Sequence, residues 1–233
     1  MQWRCSLVQK QNRVEAVERA LTILEAFTDQ ERSLSLVTLA ERTGLYKSTI
    51  LRLIGSLERF GYIVREGDGT YALGPSLWRL GNLFRHTGDM GELIRPQLTK
   101  LVGQTQETAS FFIRLGNQRM CLYRLNSPKP ARHHLDEGAL LPIERGATGR
   151  VLLAFSGEEG AFYDDIRTKG YAFSKGERDP DVAAIALPVL DRHGVMRGAI
   201  SVSALITRLT DDKVESTVEL LKASCDTLRE TMP

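Results

Sequence analysis

Two short amphipathic stretches meet at a single glycine in SLVTLAERTGLYKSTILRLIGSLERF, residues 35–60. Leu36, Leu39 and Ala40 recur at spacings of three and four, and Ser35 stands where an N-cap belongs. Gly44 makes a turn, and a second apolar stripe follows on Ile50, Leu53, Ile54 and Leu57. The spacing predicts helices at about Ser35–Thr43 and Lys47–Phe60. The opposite face of the later helix carries Ser48, Arg52, Gly55, Ser56 and Arg59. Upstream, VEAVERALTILEAF (residues 14–27) places Val14, Val17, Leu21 and Leu24 on one helical stripe, with Ile23 and Phe27 to the side. Downstream, Tyr62–Arg65 is β-prone, EGDGT is a turn cluster, and Tyr71–Leu73 resumes as a strand. Three helices and a hairpin predict a winged helix-turn-helix.

The Lys47-Ser48-Thr49 run resembles a phosphate-binding P-loop, but that motif needs a glycine directly before its lysine. Tyr46 stands there, and a helix rather than a strand precedes the turn. DNA suits the segment better. Tyr46, Lys47, Ser48, Thr49 and Arg52 start the expected recognition helix, where lysine, hydroxyls and guanidinium can meet phosphates and base edges. Arg59 and Arg65 extend the basic face. Across residues 44–65 these four basic residues oppose Glu58 alone, a local surplus of +3 in a chain whose net charge is +2. Winged helices also bind proteins, so a protein-contact module attached to a small-molecule sensor is the alternative.

The 233 residues, 42% of them hydrophobic in type, suffice for one large or two modest cores. No apolar run approaches a membrane span, and no secretory leader is visible. Cys5, Cys121 and Cys225 are odd in number and far apart, which fits a cytoplasmic location without a disulfide framework. The expected organisation is a polar lead-in at 1–12, the winged helix at 13–74, a linker helix at 75–89 and a second domain at 90–233. In the linker, Leu77, Leu80 and Phe84 share a face beside Trp78 and Leu83, and a partner subunit is the expected cover.

Beyond the linker a helix at about 93–106 gives way to period-two patterns. TASFFIRLGNQRMCLYRLN reads as a hairpin turning at Gly116-Asn117, ARHHLDEG as a third strand, and AAIALPVLDRHGVMRGAISVSAL as another hairpin turning at Asp191–Gly194. A closing helix with an acidic start ends the chain. The fold class is α+β, with an antiparallel sheet. No GxSxG, HExxH or GxGxxG motif is present, so an enzyme is not expected. His133 and His134, adjacent on the expected strand, point apart, and Cys121 reads as a buried thiol. No metal site and no cofactor are expected.

A small-molecule pocket has more support. RGATGR places Gly146, Ala147 and Thr148 at a helix start, where free backbone N–H groups attract anions. Ser201 and Ser203 share a strand face. Together these groups are expected to hold one carboxylate without a charged side chain. The alternative is that Gly146 serves packing and the serines bond to neighbouring backbone.

The chain resembles the IclR family of bacterial transcriptional regulators. The resemblance rests on AVERALTILEAF, LAERTGLYKSTILRLIGSLERFGYI and TYALG in the first third. In the remainder it rests on ERGATGRVLLAF, GYAFSKGE and PVLDRHGVMRGAISVSAL. It implies a winged helix, a linker helix that dimerises, a GAF-like effector-binding domain, and homodimers that often pair into tetramers on palindromic DNA operators. It also implies small carboxylate effectors and pocket positions at Gly146, Ala147, Ser201 and Ser203. The family often has an aspartate where Ser174 stands and a cysteine where Ala184 stands, so those positions also belong to the expected pocket. Without that acid and thiol, the metal some relatives hold is not expected here. The segment between Phe155 and Gly170 looks short by about a helix.

Overall fold

The computed structural model describes residues 13–28, 30–86 and 90–232. The polar lead-in at 1–12 and residues 87–89 of the expected linker lie outside the described residues. The chain divides into two compact units, Met1–Gly88 and Asp89–Pro233.

The first unit runs α1 (Glu15–Leu24), β1 (Ser33–Leu34), α2 (Leu36–Thr43), α3 (Lys47–Arg59), β2 (Ile63–Arg65), β3 (Tyr71–Leu73) and α4 (Pro75–His86). Ser35 caps α2 by accepting from the Thr38 amide at 3.1 Å, and Gly44 ends it at φ +67°, a conformation that favours glycine. Ile23, Leu34, Leu39, Ile50, Ile54, Ile63 and Tyr71 form the core. β1 adds to the hairpin as a short third strand, in the order β1-β3-β2. One expectation is overturned. On α1 the face turned inward carries Ile23, whereas Val14, Val17 and Leu21 stand more than half exposed. Ile23 is buried in the core, and Leu24 of the expected stripe packs against it together with Phe27, beyond the end of the helix.

The second unit runs α5 (Met90–Thr105), β4 (Thr108–Leu115), β5 (Gln118–Leu125), β6 (Leu140–Pro142), α6 (Ala147–Phe155), α7 (Ala161–Lys169), β7 (Ala172–Lys175), β8 (Val182–Leu190), β9 (Met196–Leu205) and α8 (Asp211–Thr231). Its six strands form one antiparallel sheet in the order β6-β5-β4-β9-β8-β7. One face packs under α5 and α8, through Leu98, Leu101, Leu221 and Leu228 against Phe111, Ile185, Ile200 and Val202. The other packs under α6, through Val151 and Leu152 against Phe112, Cys121, Ala186 and Ala199.

Both hairpins form with the expected turns. The strand expected at ARHHLDEG does not. Residues 131–138 are irregular, and the third strand is β6, further along. Side chains take over the bonding there. The Glu137 carboxylate accepts from the Arg124 amide at 2.9 Å, and Arg124 Nη2 donates to the His133 carbonyl at 2.7 Å. The short segment after Phe155 contains α7, which sequence reading did not resolve, and so was β7.

Candidate functional site

Two regions concentrate functional side chains, one in each unit. In the first, Tyr46 stands just before α3 and supplies no side-chain cap, and the first turn of the helix holds no acidic residue. No side chain therefore caps its leading amides, and no acid in the first turn opposes an anion there. Tyr46 is 85% exposed, Lys47, Ser48 and Arg52 are exposed, and Thr49 is half-buried. Ile50 and Ile54, on the opposite face, lock the helix to the core. Arg59 lies over the Phe60 ring at 5.1 Å and Arg65 over the Tyr71 ring at 6.0 Å. Both residues are exposed.

The second region is a cavity on the α6 side of the sheet. It offers about 60 Å³ to the centres of water-sized molecules. At roughly 10–15 Å³ per water, that is room for a handful of waters. The sheet register makes the hollow. Ser174 pairs with Ala184, Ala184 with Ser203 and Ser203 with Thr108, so small side chains stand in one row across β7, β8, β9 and β4. Directly opposed residues share a face, and short ones leave space above it. The next row runs Ala186, Ser201, Ser110 and Arg124.

All six residues named from sequence, Gly146, Ala147, Ser174, Ala184, Ser201 and Ser203, line this one cavity. Their bonding differs from the expectation. Two of the amides at the start of α6 are already taken. Gly146 donates to the Glu177 carboxylate at 3.1 Å and Ala147 to the Ser174 hydroxyl at 3.0 Å. Glu177 is held in turn by Arg150 at 2.7 Å. An internal carboxylate thus occupies the helix terminus where a ligand's was expected. Ser201 donates to the Ser110 carbonyl at 3.4 Å, the backbone bond weighed as the alternative. Gly146 adopts φ +81°, and a Cβ on Gly149 would overlap the Ile143 carbonyl and the Arg119 guanidinium.

The expectation of a site without charged side chains is also overturned. Arg119, Arg124, Arg178, Glu177 and Asp179 line the cavity, with His133 among them. His133 was set aside on the ground that it sat on a strand. It sits on an irregular segment, half-buried, while His134 stays exposed. Burial, with the Arg178 and Arg124 guanidinium groups nearby, pulls His133 down to about 4. It is therefore neutral at pH 7. Arg178 Nη2 lies 2.7 Å from His133 Nε2, and arginine can only donate, so Nε2 accepts and the proton is on Nδ1. That bond ties residues 126–139 to the β7–β8 connection across the cavity. Cys121 is fully buried, and burial pushes its thiol up to about 12, so it is inert. Among the described residues no group of His, Cys, Asp and Glu side chains is arranged to hold a metal ion.

A winged helix followed by a separate unit with a lined cavity is the build of a DNA-binding transcriptional regulator. The family model described as the IclR helix-turn-helix domain matches residues 16–67. The one described as the bacterial transcriptional regulator IclR C-terminal domain matches residues 85–163 and 161–229, two pieces that meet at the start of α7. The chain belongs to the IclR family, whose members are transcriptional regulators and not enzymes. It is 28% identical to the HTH-type transcriptional regulator XynR of Escherichia coli over 235 residues, covering 90% of this chain and 93% of that protein. A solved IclR regulator from Alicyclobacillus acidocaldarius is similar at a TM-score of 0.80 and 25% identity, over 94% of this chain and 98% of that one. An IclR homologue from Microbacterium hydrocarbonoxydans, solved in complex with 4-hydroxybenzoate, shares the fold at a TM-score of 0.76 and 20% identity, over 92% and 97% of the two chains.

Proposed function

We propose that the protein is a ligand-responsive regulator that binds a palindromic operator and is controlled by a small monocarboxylate with an apolar or aromatic body. The observation that carries the reading is the cavity. It lies inside the unit that does not hold the helix-turn-helix, and arginines and apolar side chains line it together. Phe112, Leu135, Leu141 and Val182 offer the apolar surface, where burial contributes about 25 cal/mol per Å². The 4-hydroxybenzoate held by a relative of the same fold is an acid of this class. On the DNA side, Tyr46, Lys47, Ser48, Thr49 and Arg52 would face the major groove, and Arg59 and Arg65 the phosphates.

One α3 reads one half-site, so a palindrome calls for a two-fold dimer. We assign α4 to that contact, because Trp78 is 77% exposed and Leu80 38%. Two such dimers would pair into a tetramer on paired operators. A regulator that binds operator DNA would work in the cytoplasm. No helix among the described residues is long and apolar enough to cross a membrane. Gel shifts with DNA upstream of the protein's own gene test the DNA reading, and a thermal-shift screen of carboxylates tests the sensor. Stabilisation by small, highly polar acids alone would overturn the proposed effector class. Full retention of binding in a Ser201→Ala, Ser203→Ala double variant would show that the serine hydroxyls do not hold the acid.

A further inference from the structure

Arg119 and Arg124 are the buried arginines of the cavity, 2% and 9% exposed, and they are treated differently by their surroundings. Arg124 spreads its donors over Asn126, Ser110 and the His133 carbonyl. Arg119 gives Nη1 to the Arg145 carbonyl, and its buried Nε has no partner among the described residues. It forms no ion pair among them either. The acids whose charge reaches it are Glu144 and Glu177, and Glu177 is already engaged by Gly146 and Arg150. Burial dominates and pulls Arg119 down to about 10, so it stays charged at neutral pH. A buried charge without a counter-charge is costly, and a donor left unmet adds to the cost. Two glycines nevertheless make room for this guanidinium. Nη2 comes within 3.3 Å of where a Gly146 Cβ would stand, and a Gly149 Cβ would overlap Nη1. The charge is therefore seated deliberately at the cavity wall beside the start of α6.

We propose that Arg119 is the anion seat of the cavity, and that the effector's single carboxylate binds its guanidinium rather than the α6 amides. The inference rests on the cavity being an effector site. The lining favours an anion. Arg119, Arg124 and Arg178 face Asp179 and a Glu177 that Arg150 already pairs, and His133 is neutral. A carboxylate supplies the missing charge and can accept from the part of the guanidinium that lines the cavity. Phe112, whose ring lies 5.8 Å from the Arg119 guanidinium carbon, then faces the apolar body next to the carboxylate.

The test uses the full chain, wild type and Arg119→Met, in chloride-free buffer at constant ionic strength. Titration calorimetry is run with benzoate, its neutral counterpart benzamide, and thiocyanate. Wild type should bind benzoate at least tenfold more tightly than benzamide, and Arg119→Met should lose that preference. Removing an unmatched buried charge should leave the melting temperature equal or higher, whereas a merely structural arginine would lower it. In wild type the Arg119 Nε–H NMR resonance, identified by its loss in Arg119→Lys, should shift with benzoate and stay put with benzamide. That measurement decides the matter even if Arg119→Met does not fold. Benzoate binding that survives in Arg119→Met, or leaves the resonance unmoved, overturns the assignment while the carboxylate-sensing function stands. Thiocyanate binding that needs Arg119, without benzoate binding, keeps the anion seat and removes the aromatic acid. Absence of any anion binding overturns both.

Discussion

Arg52 stands one turn into α3, exposed, on the side opposite Ile50 and Ile54. Because it carries none of the core, Arg52→Ala should leave the melting temperature unchanged while operator binding weakens by about 1–3 kcal/mol, the worth of a base contact. Fluorescence anisotropy at fixed salt measures this, and wild-type affinity would remove Arg52 from the DNA face. Arg65, assigned to a phosphate, should instead flatten the salt dependence when lost. His133 makes a prediction about pH. Its folded value, about 4, lies below its ordinary 6.5, so the unfolded chain takes up the proton first as pH falls. The stability it contributes is complete above 6.5 and is lost on the way down to about 4. His133→Gln keeps an acceptor for Arg178 but does not titrate. Its melting temperature should therefore fall less than that of wild type between pH 7 and pH 5, and equal falls would contradict the buried, neutral imidazole.

Elements show which parts of the fold and site were legible in the sequence. Helices α2 and α3, with their Ser35 cap and Gly44 turn, announce themselves because each obeys a local rule of spacing and capping. The pocket serines were legible for the same reason, being two residues apart on one strand. Arg119 and Arg124 were not. At odd spacing they should point to opposite faces of β5. A bulge at Leu122 shifts the register, so that Cys121 pairs with Phe112 and Tyr123 with Phe111. Both arginines then reach the cavity face, and no local pattern marks the extra residue. Glu177 was hidden too, because its role depends on a contact 31 residues away. The α1 stripe misled because helical spacing finds an apolar face without saying what covers it. For the β8–β9 hairpin the turn was legible but its anchor was not. Asp191 is fully buried and accepts from the His193 and Val195 amides at 2.8 and 2.9 Å and from Arg197 Nε at 2.8 Å. Asp191→Ala strands both amides and removes an acceptor from Arg197, and should cost about 1–3 kcal/mol in urea unfolding. A loss near zero would show that the turn forms without its carboxylate. For α4, Trp78→Asp or Leu80→Asp should give monomers by light scattering together with poor DNA binding. Dimers in both variants would move the interface elsewhere.

At the scale of the whole molecule, two units with separate cores have to be coupled for the cavity to govern DNA binding. Coupling requires the effector to bind one state of the assembly better than another, and in regulators this is typically worth about 1–3 kcal/mol, or 5–150-fold in affinity. The Arg178–His133 bond and the Glu177 seat on α6 are the contacts a ligand would disturb, because both lie in the cavity wall. By linkage, operator DNA must change effector affinity by the same factor. The most direct test is operator affinity of the full chain, measured by anisotropy at fixed salt on a footprinted palindrome upstream of its own gene, with and without saturating benzoate or another acid found to bind. The account predicts specific binding that competitor DNA does not abolish, and a change of at least fivefold on adding the acid. Binding without sequence preference, or an operator affinity that stays the same when the cavity is filled, would contradict it.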